Sequence, residues 1–330
     1  MKFFLAVLMM CPLITMAATG TKDFTGFTEL KNGHKLFTEY TAPKKNQPTL
    51  VFVNGLTFST KDYFLVSQVL IQNGYGVLLY DAYGMGQTLL NNSFPENPIK
   101  VDSQVNELDE LMAKIGLIAP YNLVGLSYGG GVLTAYATKF PTNVKTLMLM
   151  SPYTEVIEES KQLILKQIAQ SRLMFPLNKA TDEELANYFI RQFAYQTYPI
   201  FEPSVLENPF KLEGVVKLVQ GITPYRPIDD AVKLPAGTVH MMIGSQDEYV
   251  KKPVYDGFWK VVAPAAKCSY VSVLESKHKI TTIYPYFAAR WINFVMQSKG
   301  AACTGLEYTA DPLLLEMNSS AGSFNLPDFK

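Results

Sequence analysis

The chain has 330 residues, 29 basic and 29 acidic side chains, and 48% hydrophobic residues. That is enough to bury one large core or two modest ones. Zero net charge with no basic block argues against nucleic acid as a partner, and no repeat has a solenoid or propeller period.

The chain opens on "MKFFLAVLMMCPLITMAATG". A lysine precedes a short apolar run, and Thr15 and Ala17 are placed for cleavage after Ala17. Residues 1–17 therefore read as a signal peptide, and the protein is expected to be exported, to a periplasm or outside the cell. A membrane anchor is the alternative, but the run is short for a span and no basic cluster follows. Methionines ahead of Cys11 make a poor lipidation box. No later segment reads as long and apolar enough to span a bilayer. Once Cys11 leaves, Cys268 and Cys303 remain, an even count that fits an oxidising compartment.

From residue 18 to 150, "GFTELKNGHKLFTEYT" (26–41) alternates around Asn32-Gly33, a hairpin signal. Then come short runs rich in aliphatic residues: 49–53, 76–80, 122–126 and 146–150. Two more, 238–243 and 269–274, fall in a later part, 234–300. All six read as buried parallel strands. Helical periods near 60–73, 99–115, 128–139, 250–262 and 280–298 lie between or after them. Strands alternating with helices predict an α/β fold, a mostly parallel sheet with helices on both faces and the antiparallel hairpin at one edge.

The stretch 151–233 has no strand pattern and reads as an inserted helical cap. Thr181 and Glu184 have capping-box spacing, and Asn208-Pro209 pairs an N-cap with a first-turn proline. Its many aromatics serve packing, with a subset lining an apolar pocket. The tail, 301–330, lacks clear periodicity beyond "PLLLEM" (312–317), and "NSSAGS" (318–323) reads as flexible. It is expected to lie across the surface or be disordered.

Ser127 stands in "NLVGLSYGGG" (122–131), after a strand and before a helix. A nucleophile elbow needs that placement, with glycines letting the turn tighten and the helix approach the sheet. A glycine-rich turn without catalysis is the bland alternative. No dinucleotide or P-loop fingerprint is present, and the chemistry calls for no cofactor and no metal. A serine nucleophile needs a base. His34 lies in the hairpin, far from the strand ends that would face the serine, and His240 sits inside a strand as a packing residue. His278 follows the last strand predicted for the parallel sheet, where catalytic groups of parallel sheets gather. Asp247, beyond another strand's carboxyl end, is the preferred acid, with Glu248 and Glu155 as alternatives. Two N–H donors complete an oxyanion hole: Tyr128, after the serine, and Leu56, in the loop "VNGLTFS" (53–59).

The pieces "VNGL", "DAYGMGQT", "GLSYGG", "IGSQDEYV" and "SKHKI", in that order, resemble the α/β-hydrolase superfamily over roughly residues 26–298. The resemblance implies Ser127 as nucleophile, Asp247 as acid, His278 as base, and Leu56 and Tyr128 as oxyanion donors. It also implies that 151–233 is the family's cap. Asn54-Gly55 stands where many relatives have His-Gly, and the His-Gly-Gly-Pro-Gly run of proline-specific aminopeptidases is absent. Serine at the nucleophile position argues against epoxide opening and halide removal. In that fold Cys268 and Cys303 both fall at the bottom of the domain, which admits a disulfide between them.

The expected function is an exported serine hydrolase acting on a carboxylic ester with an apolar acyl or alcohol part. Its partner would be a small ester or lipid-like substrate. An acyltransferase, thioesterase or C–C hydrolase would use the same site. A non-catalytic ligand-binding protein of the same fold, or docking of the cap or tail on a lipid surface, are further readings. The sequence does not define an oligomeric state.

Overall fold

A computed structural model describes residues 22–329 except 157, 202, 207, 208 and 299–302. The signal segment and the Asn208 N-cap lie outside the described residues. In chain order the elements begin with strands β1 (Phe24–Glu29), β2 (Lys35–Thr41) and β3 (Thr49–Val53), helix α1 (Phe64–Gln72) and strand β4 (Gly76–Tyr80). Helices α2 (Gly86–Asn91) and α3 (Val101–Ile115), strand β5 (Tyr121–Leu126), helix α4 (Tyr128–Lys139) and strand β6 (Val144–Met150) follow. Four helices come next: α5 (Glu158–Met174), α6 (Asp182–Phe201), α7 (Pro209–Ile222) and the short α8 (Pro227–Asp230). Strand β7 (Val239–Gly244), helix α9 (Lys252–Val261), strand β8 (Lys267–Val273) and helices α10 (Ile280–Ile283) and α11 (Pro285–Gln297) complete the α/β part. Strands β9 (Leu306–Asp311), β10 (Glu316–Ser319) and β11 (Gly322–Asn325) end the chain.

The strands form one sheet in the order β1-β2-β4-β3-β5-β6-β7-β8-β9-β10-β11. From β4 to β9 neighbours run parallel, and both ends are antiparallel. The central strands are apolar throughout because successive residues serve two cores. Val51 and Val53 point into one, with α3, α4 and α9. Leu50 and Phe52 point into the other, with α1 and α11. Leu147 and Leu149 alternate with Met148 and Met150 in the same way. This is the α/β architecture expected, with the β1–β2 hairpin at one edge.

Two predicted helices differ in their bounds, the second for a plain reason. The predicted helix 60–73 begins as a 3-10 turn over Thr60–Tyr63, and the 280–298 helix is split at Tyr284 before Pro285. Proline lacks the N–H that would continue a helix and disfavours helical backbone in the residue before it. The tail is the larger correction. Instead of lying on the surface or being disordered, residues 306–325 add three strands to the sheet, and "NSSAGS" forms the β10–β11 hairpin. Tyr308, Ala310 and Met317 turn inward onto the second core. β9 buries two residues, β10 one and β11 none, too few to stand out as periodicity.

The helical insertion between β6 and β7 starts α6 with the reciprocal capping box. The Thr181 N–H donates to Glu184 Oε2 at 2.6 Å, and the Glu184 N–H donates to Thr181 Oγ1 at 3.2 Å. Cys268, second residue of β8, is disulfide-bonded to Cys303 at the amino edge of the sheet, opposite the site.

Candidate active site

Strand order reverses between β3 and β5, since β4 lies to one side of β3 and β5 to the other. Crevices outside the carboxyl ends at such a switch point are where open α/β sheets bind ligands. The loops leaving β3 and β5 there carry Leu56 and Ser127.

Ser127 has φ +51° and ψ −117°, a conformation L-residues rarely adopt. It is held from three directions. Its N–H donates to the Met150 carbonyl at 2.9 Å, and its own carbonyl accepts from Gly130 at 2.9 Å and Tyr153 at 2.8 Å. The glycines are required by space. A Cβ on Gly129 would lie 2.1 Å from the Val53 carbonyl oxygen, and one on Gly125 would lie 2.8 Å from the Gly129 backbone. The helix therefore starts against the sheet, and its amino end faces the serine.

Asp247 and His278 leave β7 and β8 at the same edge and meet. Asp247 Oδ2 lies 2.7 Å from His278 Nδ1, and both residues are buried. Tyr255 of α9 donates its hydroxyl to Oδ2 at 2.6 Å, while the Tyr249 and Val250 N–H groups donate to Oδ1 at 2.9 Å each. Burial pushes the Asp247 carboxyl up, but the His278 hydrogen bond and charge, the Tyr255 hydroxyl and the Val250 N–H outweigh it. The net pKa lies below the ordinary aspartate value. The Tyr249 ring stands edge-on to His278 at 5.0 Å.

The alternative acids are occupied otherwise. Glu248 Oε2 accepts the His278 backbone N–H at 3.0 Å, and Glu155 pairs with Arg226 at 3.1 Å. The other histidines are packing residues. His34 bonds Glu107 at 2.7 Å and stacks on Tyr83, and buried His240 bonds Ser269 at 2.8 Å. Burial lowers the His240 pKa to about 4.

Among the described residues no hydrogen bond links the Ser127 hydroxyl to His278. Such bonds are often long without substrate and tighten when it binds. Ser127, Leu56 and Tyr128 instead share the wall of a cavity of about 530 Å³. Among the described residues neither the Leu56 nor the Tyr128 backbone N–H has an acceptor. The rest of the wall is mostly apolar, including Leu163 and Ile164 of α5, Phe189 and Phe193 of α6, and Val219 of α7, and among the described residues Glu155 is its one charged residue. The sequence reading missed Tyr255 and the backbone role of Glu248. Tyr255 sits on the apolar face of an amphipathic helix, where a tyrosine reads as core.

A parallel sheet with a strained serine turn after one strand and a buried carboxylate–imidazole pair after two others is the framework of an α/β hydrolase. Residues 44–282 match the family described as "Serine aminopeptidase, S33", and the chain belongs to that family. It is a hydrolase. It is 29% identical over 167 residues to a proline iminopeptidase of Clostridioides difficile, covering 48% of this chain and 54% of that one. It is 30% identical over 102 residues to "Lipase 3" of a Moraxella species, covering 31% and 30%. The chain thus spans about half, or less, of the curated relatives it matches. Its fold is that of the thermophilic esterase of Thermogutta terrifontis, with TM-score 0.58, 17% identity, and 84% and 99% of the two chains covered. No described helix is long and apolar enough to cross a membrane.

Proposed function

We propose that the protein is an exported serine hydrolase of carboxylic esters. The observation that carries this is the buried Asp247–His278 pair at 2.7 Å, on the sheet edge that also bears Ser127 with φ +51° in an apolar cavity. Asp247 fixes the imidazole tautomer with Nδ1 protonated, leaving Nε2 to take the Ser127 proton. Ser127 Oγ attacks the ester carbonyl. The Leu56 and Tyr128 N–H groups hold the oxyanion, alcohol leaves on a proton from His278, and water activated by His278 releases the acyl group. The insertion acts as a cap whose apolar wall takes the acyl or alcohol part.

An aminopeptidase is the second reading, favoured by the iminopeptidase relatives. An amino-terminal ammonium would need an unpaired carboxylate, whereas the cavity's Glu155 is held by Arg226, so the ester reading is preferred. Fluorophosphonate labelling tests the nucleophile: the protein should label, and Ser127→Ala should not. Stoichiometric labelling of Ser127→Ala would overturn the assignment. p-Nitrophenyl esters of graded chain length beside prolyl p-nitroanilide separate the two substrates, and turnover of the anilide alone would favour the peptidase. Export is tested by amino-terminal sequencing of secreted protein, which should begin at Ala18.

A further inference from the structure

The cap carries a feature that substrate enclosure does not explain. Where α5 ends and the turn to α6 begins, Leu173, Met174, Phe175 and Leu177 are 82%, 73%, 59% and 91% exposed. Four large apolar residues gathered at one corner are unusual on a protein surface in water.

The corner is built rather than loose. Arg172 donates to the Asn178 carbonyl at 3.1 Å, the Ala180 carbonyl at 2.6 Å and Asp182 Oδ1 at 2.7 Å. The Phe175 N–H continues the helix to Ser171 at 2.9 Å, and the Asn178 N–H closes the turn on Phe175 at 3.0 Å. The apolar side chains are thus held outward by a fixed backbone.

Basic residues lie on the α5 side of it, and Asp182, Glu183 and Glu184 open α6 on the other. From Ser160 to Thr181 the chain has Lys161, Lys166, Arg172 and Lys179 and no acidic residue. Among the described residues Lys166 and Lys179 make no ion pair. An apolar wedge with two unpaired lysines beside it, Lys166 and Lys179, fits an anionic lipid surface, where apolar side chains enter the acyl boundary and lysines meet headgroups. A second copy of the chain fits less well, since a stable interface takes roughly 20–30 residues a side.

We propose that the α5–α6 corner docks the protein on an anionic lipid surface. Ile164, in the cavity wall, lies nine residues before Leu173 on the same helix, about 14 Å along its axis. Docking therefore sets the cavity beside the surface, and, resting on the ester reading, makes an ester of a lipid amphiphile the substrate class.

The test is co-sedimentation with phosphatidylcholine vesicles, with and without phosphatidylglycerol, for the full chain and two variants, Phe175→Asp/Leu177→Asp and Lys166→Gln/Lys179→Gln. Neither pair lines the cavity. Binding should require phosphatidylglycerol and weaken with salt. It should fall about tenfold or more in the aspartate variant and by a smaller factor in the glutamine variant. Turnover of a soluble short-chain ester should be unchanged in both. Binding that the aspartates do not reduce would place the contact elsewhere, on the amino-terminal apolar run for example, and overturn the proposal. So would an absence of binding, or lipid-free dimers in size exclusion that the aspartates abolish. If the parent chain turns over no ester but still binds through this corner, the hydrolase reading falls and the docking surface stands.

Discussion

Replacing Asp247 by asparagine removes one acceptor from a group that four donors share. Oδ1 takes the Tyr249 and Val250 N–H groups, and Oδ2 takes the Tyr255 hydroxyl and His278 Nδ1. An amide has one oxygen and one NH₂. The two backbone donors cannot turn away, so the amide oxygen stays with them and the NH₂ faces Tyr255 and His278. The tyrosine hydroxyl can rotate and accept. The imidazole can accept only by moving its proton to Nε2, the atom that must receive the Ser127 proton. The wrong tautomer should lower kcat about 10⁴-fold. KM should change little, because the carboxylate does not line the cavity. Stability should fall by about 1–2 kcal/mol, since all four contacts survive but the two at the NH₂ lose the carboxylate charge. The assay is steady-state ester hydrolysis beside urea denaturation. A kcat within tenfold of the parent, in a protein that still folds, would refute this assignment of the base's orienting group.

Asp81 is buried beneath the β3 loop, accepting from the Thr60 N–H at 2.7 Å and the Gln87 N–H at 2.8 Å. Burial raises its pKa to about 6. Because the folded value exceeds the unfolded one, its stability contribution is full below the ordinary aspartate pKa and is lost as pH rises through about 6, about 3 kcal/mol in all. Urea midpoints of the parent should carry this fall between pH 4 and 6, and Asp81→Asn should flatten it; equal slopes would refute it. Asp247 has the opposite sign, since its depressed pKa gives stability that is lost as pH falls below the ordinary aspartate value. Gly129→Ala sets a Cβ against the Val53 carbonyl and should destabilise by about 3 kcal/mol with loss of ester turnover; an unchanged denaturation midpoint would show that helix and sheet can part. Cys303→Ser opens a 35-residue separation and should cost about 4 kcal/mol while leaving kcat intact, because the bond lies at the opposite edge from Ser127; lost kcat in folded protein would contradict that separation.

Six of the seven strands of the parallel run were legible because each is buried on both faces, which leaves a continuous apolar run between polar segments. β9–β11 were not, since they are four to six residues long and bury at most two residues each. The order Ser127, Asp247, His278 could be read because each follows a strand at the same edge. The preference for Asp247 over Glu248 rested only on aspartate being the shorter and commoner acid at such a turn. The two are adjacent, and which one meets Nδ1 depends on how the 245–250 turn closes. There the Tyr249 and Val250 N–H groups fold back onto Asp247 and send Glu248 to the His278 backbone. The exposed corner at Leu173 was invisible for a related reason: an apolar run in a helical stretch reads as core until the surrounding structure fails to cover it.

The conformation of Ser127 costs on the order of 1–3 kcal/mol, and the sheet has to supply that from its own packing. The three backbone bonds at the turn come from β6, from the first turn of α4 and from the loop after β6. The strain is therefore borne by two adjacent strands and a helix rather than by the loop itself. A serine on a free loop would relax to an ordinary turn. Here relaxation would break the bond to Met150 and pull α4 from the contact that Gly125 and Gly129 allow. The same contact sets the α4 amino terminus beside the β3 loop, so the Tyr128 and Leu56 N–H groups are arranged by the packing that strains the serine. Loosening that packing should move nucleophile and oxyanion donors together, which is why Gly129→Ala is expected to remove activity as well as stability.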